Sequence, residues 1–365
     1  MKRRQFLANC GTTLTGLTLF PRQIFAQELA STRRFLFVYF EGGWDVLLSL
    51  DPRDPRETNA AEHQIEPAYD QLGSLQNRGD FGIQSAAGLR LGPSVPPTLL
   101  SLADRLSIIN GIGMNTASHE VGRRYFITGR FPRGTTAVGS STPSEIVAQS
   151  GEHFPIPHLS AGVEAYSDAL PHYASALSIN TANDLGTAFT PFAQFDPDVL
   201  AAVQGFQDAT PDCSATRSDA TGLVSQMRSS QQRARSFVEG GFSRFFDFNA
   251  SDSETERLRQ LYGLNRFHAP GAPGVAAYLA SQALKNNVSQ AVSVRVAAGL
   301  DTHSDWADTQ PDAQENGWRL LAAMLEDLRT APLPEDERKS VLDETTVLVF
   351  SEFARTPLFN NLRGR

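Results

Sequence analysis

The chain has 365 residues, of which 41% are hydrophobic and 20% are charged, and its mean hydropathy is -0.27. This is a globular composition, with enough length for one large α/β domain and its core. The formal net charge of -8 and the isoelectric point near 5.4 argue against a nucleic-acid-binding surface and against general attraction to anionic membranes.

The first 26 residues have the features of an export signal. The arginine pair at 3–4 precedes a weakly apolar stretch, at about 7–20, that is too short and too polar for a stable membrane span. We expect a twin-arginine signal that is cleaved after Ala26 and delivers the protein, through the twin-arginine export machinery, to the periplasm or outside the cell. The alternative is a basic N-terminus without regular structure.

Four stretches are predicted to be strands of a mostly parallel sheet. The apolar runs at 35–40 and 345–350 are typical of central strands covered on both faces, and 291–297 alternates in the manner of a strand. Residues 106–114 are predicted to be another strand. An amphipathic helix after residue 306 joins the last two strands, and strand, helix, strand in that order indicates a parallel pair with a right-handed crossover.

The middle of the chain, about 143–288, is predicted to be a helical insertion beside the sheet and not a second independent domain. Its polar and alanine-rich stretches predict helices at 219–246, 253–262 and 272–286, and a further short helix is expected at 335–342. The fold class is therefore α/β, with one domain from residue 27 to the end and a central sheet flanked by helices.

Acidic and imidazole side chains follow the predicted strands. Asp45 comes after the first strand and a Gly-Gly turn, Asp301 and His303 follow the strand at 291–297, and Glu352 follows the last strand. The carboxyl ends of parallel strands meet at one edge of a sheet, so these side chains predict a metal site there. Carboxylate with imidazole suits zinc, manganese or iron. The alternatives are a loop cap at Asp301, a helix N-cap at Asp45 and a salt bridge from Glu352 to Arg355.

Ser118, His119 and Arg355 are candidate catalytic residues. Ser118 and His119 lie where a helix begins, a place that favours an anion or a nucleophile. Ser118 is either a nucleophile for phosphoryl or sulfuryl transfer or a helix N-cap. His119 is either a ligand or acid, or a half-buried structural histidine. Arg355 is either a bidentate partner of an anionic substrate or part of a surface ion pair.

Four motifs at these places, EGGWD, SHEVGRRYFITG, GLDTHSDW and SEFARTPLFNN, resemble those of the DUF1501 family. The resemblance runs from about residue 35 to the last residue and is carried most specifically by DTH with SEFxRT and a following Asn. It implies export, mostly by twin-arginine signals, and a fold like that of alkaline phosphatases and sulfatases.

The chain departs from the family pattern in two places. Ala354 stands where members of the family usually have Gly, and the sequence stops at Arg365, before the Asp-His pair with which the family continues. In related metallohydrolases a late histidine completes the metal site. We therefore expect that a C-terminal part of the domain is missing.

The function that the resemblance implies is metal-dependent hydrolysis of phosphate or sulfate esters by an exported enzyme. The expected cofactor is a divalent cation (zinc, manganese, calcium or iron), and the expected substrate is a small anionic ester. The alternative is a non-catalytic periplasmic or secreted binding or structural protein on the same fold. The fold analogy does not decide between these two functions.

Overall fold

The computed structural model describes residues 33–73, 80–181, 184–185, 196–209, 228–229, 232, 241–265, 267–269 and 271–365. The predicted signal at 1–26 lies outside these residues. The strands are β1 (Arg34–Phe40), β2 (Gln84–Ala86), β3 (Leu89–Leu91), β4 (His158–Ala161), β5 (Leu177–Ile179), β6 (Ala291–Ala297), β7 (Pro332–Leu333), β8 (Asp336–Ser340) and β9 (Thr345–Phe350).

Seven α-helices and several short 3-10 helices are described with the strands. The α-helices are α1 (Ala60–His63), α2 (His119–Thr128), α3 (Thr142–Ser150), α4 (Pro197–Ala209), α5 (Ser253–Tyr262), α6 (Pro273–Lys285) and α7 (Trp306–Thr330). The 3-10 helices are Val46–Leu48, Tyr69–Gln71, Asp80–Gly82, Pro97–Arg105, His172–Ala174, Phe242–Phe246 and Val341–Glu344. None of the described helices is both long and apolar enough to cross a membrane.

Five strands form the central sheet, in the order β5–β4–β6–β1–β9, and every neighbouring pair is parallel. The strands β2 and β3, and β7 and β8, form two separate antiparallel hairpins. This arrangement confirms the predicted α/β class with a mostly parallel central sheet. The strands β6 and β9 are parallel as predicted, but β1 lies between them.

Both faces of the sheet are covered. Side chains of a strand alternate between the faces, and alternate residues of β1 belong to different core clusters. In β1, Leu36 and Val38 belong to the large core cluster that includes α6 and α7, whereas Phe37 and Tyr39 pack with Ile127 of α2 on the opposite face. A strand buried on both sides needs apolar residues at nearly every position, which explains the unbroken apolar run of β1.

The prediction of a strand at 106–114 is wrong. These residues are irregular, Ile109 and Ile112 are 75% and 60% exposed, and within this fully described stretch no backbone hydrogen bond is made by residues 107–117. The apolar pattern favours a strand, but a strand also needs a neighbour to satisfy its backbone, and among the described strands β9 pairs only with β1. Residues 106–114 therefore do not add a sixth strand at the β9 edge of the sheet.

The prediction of a helix at 335–342 is also wrong, since these residues form β8 and the start of a 3-10 helix. Arg338 Nε bonds to Asp336 Oδ1 at 2.8 Å, and side chains two residues apart share a face in a strand but not in a helix. The range 143–288 needs a correction as well, because β4 and β5 of the central sheet lie within it. Most of the helix predicted at 219–246 lies outside the described residues.

The carboxyl ends of β1, β6 and β9 bring three loops to one edge of the sheet. The turn that begins at Glu41 follows β1, the loop at 298–305 follows β6, and residues 351–355 follow β9. The backbone N–H of Leu300 donates to Glu41 O, and that of Arg355 donates to Trp44 O, so the three loops are joined to each other. Ligands of open α/β sheets bind at this edge.

We predict that His158 makes stability depend on pH. His158 is fully buried between the hydroxyl groups of Ser144 and Ser293, and burial lowers its pKa to about 3 from 6.5. His158 is therefore protonated less readily in the folded state than in the unfolded state. The free energy of unfolding keeps its full value above about pH 6.5 and decreases as the pH falls towards 3. Relative to His158→Asn, the wild type should lose roughly 3 kcal/mol of unfolding free energy between pH 7 and pH 4, measured by urea denaturation.

His153→Asn is the matched control for this prediction, because His153 is exposed. The pH dependence of this variant should follow that of the wild type. If His158→Asn also follows the wild type between pH 7 and pH 4, the buried imidazole does not contribute to the pH dependence.

Candidate metal centre

Glu352 is a completely buried carboxylate at the end of β9, and it contacts both the turn after β1 and the first residue of α2. The Gly42 N–H donates to Oε1 and Oε2 at 3.0 and 3.2 Å, and the Ser351 hydroxyl donates to Oε2 at 2.9 Å. His119 Nδ1 lies 2.8 Å from Oε1. The carboxylate thus joins the turn after β1, the end of β9 and the first residue of α2.

Two glycines make this close arrangement sterically possible. Gly42 has φ +114°, and a Cβ on it would lie 2.6 Å from the backbone N of Asp301. A Cβ on Gly122, one turn into α2, would lie 2.9 Å from the carbonyl oxygen of Glu352. Because both residues lack a side chain, the β6 loop and α2 can pack directly against the ends of β1 and β9.

Asp301 is the meeting point of the candidate site. Its Oδ1 atom lies 3.1 Å from His119 Nε2, 2.8 Å from His303 Nε2 and 3.0 Å from Arg355 Nη1. Among the described residues, the potential ligand atoms of His119, Asp301 and His303 all lie within 4.8 Å of one another. Asp301 and His303 are largely exposed, whereas His119 is 29% exposed.

These three side chains are of types that bind transition-metal ions, and two of their three separations can be compared with those around such an ion. Ligand atoms around a tetrahedral zinc ion are about 3.3 Å apart, since each bond is about 2.0–2.1 Å long. The separations of 2.8 and 3.1 Å from Asp301 Oδ1 are close to this value. Two imidazoles and one carboxylate suit zinc, iron or manganese better than calcium, which binds oxygen ligands.

Arg355 lies beside this group and is nearly buried. Its side chain is 7% exposed, and Nη1 bonds to Asp301 Oδ1 while Nε donates to the carbonyl oxygen of Arg365 at 2.5 Å. The guanidinium therefore adds positive charge to the site. A salt bridge from Arg355 to Glu352 was predicted as an alternative, but the carboxylate with which Arg355 pairs is that of Asp301.

Ser118 is the N-cap of α2, which is one of the two roles that were predicted for it. Its hydroxyl accepts the N–H of Val121 at 3.5 Å, and the residue is exposed. Accepting this bond leaves the hydroxyl proton available. Ser118 directly precedes His119, so its backbone adjoins that of a residue of the candidate centre.

Asp45 lies after β1 as predicted, and it is the N-cap of the 3-10 helix Val46–Leu48, the alternative role that was predicted for it. It is 1% exposed, and its Oδ1 accepts the N–H of Leu47 at 3.0 Å. Its Oδ2 lies 2.9 Å from Trp306 Nε1 and 2.6 Å from Arg365 Nε. Both oxygens of Asp45 are therefore engaged by protein donors, and the three-residue group described above does not include it.

Sequence reasoning identified the candidate residues that lie together at this edge but missed the residues that support them. Tyr39, Gly42 and Ser351 surround Glu352, and none of them was a predicted site residue. Burial first, and then the negative charge of Glu352, raise the pKa of the Tyr39 hydroxyl above its usual value, so Tyr39 stays neutral. The Gly-Gly pair after β1 was the only sequence signal for this support.

A second charged cluster lies next to the candidate centre. Arg123, one turn after His119, pairs with Glu41 and Glu164, and Arg295 pairs with Glu41 at 2.6 Å. Burial raises the pKa of Glu164, but hydrogen bonds from Tyr166 and Arg123 outweigh it and hold that pKa below its usual value. The carboxyl edge thus carries a concentration of arginines in an acidic protein.

These features define an α/β protein with a candidate metal centre at the carboxyl edge of its parallel sheet. The chain matches the family described as "Protein of unknown function (DUF1501)" over residues 32–365. The protein therefore belongs to the DUF1501 family. No curated protein and no solved structure matched the chain.

We predict that Gly42→Ala is costly because of contact and not only because of backbone conformation. Gly88 is the matched control, since it also has a positive φ, +80°, but no atom lies within 4 Å of the position that an added Cβ would take. Gly88→Ala should cost roughly 1–2 kcal/mol of unfolding free energy through the positive φ. Gly42→Ala should cost roughly 1–3 kcal/mol more, through the clash with Asp301 N. Urea denaturation measures both, and equal losses would contradict the close approach.

Proposed function

We propose that the protein is an exported metal-dependent hydrolase of phosphate or sulfate esters. The observation that supports this proposal is the convergence of His119 Nε2 and His303 Nε2 on Asp301 Oδ1 at the carboxyl edge of the sheet. His119, Asp301 and His303 would hold one divalent transition-metal ion. When bound, the ion supplies Lewis acidity that polarises an ester oxygen.

The protein groups around this centre suit an anionic ester. Arg355 would contribute positive charge to the ester oxygens, and its bond to Asp301 keeps it in place. Ser118 Oγ would form the new bond to phosphorus or sulfur and lose its proton, while the ester oxygen leaves with the bonding electrons and takes up that proton. Water would then cleave the seryl ester and release phosphate or sulfate with regenerated Ser118.

The sequence supports two further parts of the proposal. The arginine pair at 3–4 and the weakly apolar stretch after it support twin-arginine export to the periplasm or outside the cell. Similarity to alkaline phosphatases and sulfatases is supported by the motifs at the strand ends and by a parallel sheet whose carboxyl edge carries the candidate centre.

The alternative function is a non-catalytic binding or structural protein, and one observation favours it. Arg355 and two imidazoles already surround Asp301 Oδ1, so N–H donors of these side chains would satisfy the carboxylate without a metal ion. The cluster would then be an ion-pair network that holds three loops together.

Ser118 distinguishes the catalytic from the structural role. We predict that Ser118→Ala and Ser118→Asn both lose turnover of an aryl phosphate or aryl sulfate by at least a hundredfold, because both lack the hydroxyl nucleophile. Asn is as good an N-cap as Ser, so Ser118→Asn should keep the stability that Ser118→Ala loses, about 1 kcal/mol. Full turnover by Ser118→Asn would remove Ser118 from the chemistry.

A further inference from the structure

Glu352 has no free oxygen with which to bind a metal ion, although it touches the candidate centre. Its two carboxylate oxygens make four contacts, with the Gly42 N–H twice, the Ser351 hydroxyl and His119 Nδ1. The side chain is 0% exposed, and the ring of His119 also packs on Phe353 with 4.7 Å between ring centroids. The orientation of the His119 ring is thus determined from two sides.

We propose that Glu352 is a positioning residue, which holds a proton on His119 Nδ1 and so leaves Nε2 as the nitrogen that faces Asp301 and would bind the metal ion. This inference rests on the proposed metal centre and assigns Glu352 a role other than ligand. A carboxylate behind a histidine fixes both the tautomer and the ring orientation, and raises the basicity of the nitrogen that binds the metal. In its other contacts Glu352 is the acceptor, since the Gly42 N–H and the Ser351 hydroxyl donate to it. A proton on His119 Nδ1 would allow the carboxylate to accept in this contact as well.

The length of Glu352 matters as much as its charge. The carboxylate reaches the Gly42 N–H of one loop and His119 Nδ1 of α2 at the same time, at 3.0 and 2.8 Å from Oε1. A side chain shorter by one methylene cannot make both contacts from the same backbone position. Charge and position are therefore separable by Glu352→Gln, which keeps the length, and Glu352→Asp, which keeps the charge.

The first test is zinc affinity, measured by competition with a chromophoric chelator. Glu352→Gln and Glu352→Asp should both bind zinc about 10- to 100-fold more weakly than the wild type. Glu326→Gln is the control, because Glu326 pairs with Arg329 on the exposed surface of α7, and its affinity should be unchanged. Wild-type affinity in Glu352→Asp would show that charge alone suffices and would overturn the positioning role.

The second test needs no variant of Glu352 and no metal. In metal-free wild-type protein at pH 8, long-range ¹H–¹⁵N spectra should show a proton on His119 Nδ1, with the resonance assigned by its absence in His119→Asn. A His119 ring without a proton on Nδ1 would overturn the proposal even if the variants of Glu352 failed to fold. If wild-type protein binds no zinc but carries the proton on His119 Nδ1, the proposed function fails and the role of Glu352 in orienting His119 stands.

Discussion

The bond from the Gly42 N–H to the carboxylate of Glu352 is the constraint on which the candidate site depends. It joins the turn after β1 to the end of β9 inside a fully buried region, where an unpaired carboxylate would be costly. Because Gly42 also lies against the backbone of Asp301, the same turn determines how closely the loop after β6 approaches. One residue without a side chain thus positions elements from both neighbouring strands.

Helix α2 completes the arrangement from the other side. Gly122 allows it to approach the end of β9, and its first residue, His119, bridges Glu352 and Asp301. A buried carboxylate, an imidazole and an exposed carboxylate therefore follow one another from the core to solvent. Such a series gives the His119 ring a single direction, so that little reorganisation would be needed for a cation to bind.

Local sequence patterns predicted the strands that form the frame of the site. The boundaries of β6, β9 and α5 agree with the predicted stretches 291–297, 345–350 and 253–262. The apolar pattern of the two strands and the capping residues of the helix are local properties, so the sequence alone contains them. The failure at 106–114 has a different origin. Strand formation there depends on a pairing neighbour, and no local pattern contains that information.

The candidate site could be predicted only in part, for the same reason. Asp301 and His303 are two residues apart in sequence, so one loop brings them together. His119 was predicted among the catalytic candidates, and the strand that was predicted to precede it does not form. The partners of Asp45 and Glu352 come from distant parts of the chain, and they convert two expected ligands into residues engaged by protein donors. Residue type and strand position indicate where an acid lies, but the donors around it decide what the acid does.

The central claim is that His119, Asp301 and His303 hold one metal ion, and metal analysis of the purified protein tests it most directly. Elemental analysis should find about one zinc, manganese or iron ion per chain, and X-ray absorption at the edge of that metal should show two imidazole ligands. The Asp301→Ala/His303→Ala double variant should lose the metal. Metal-free wild-type protein that takes up none on reconstitution, or full retention of metal by the double variant, would contradict the account.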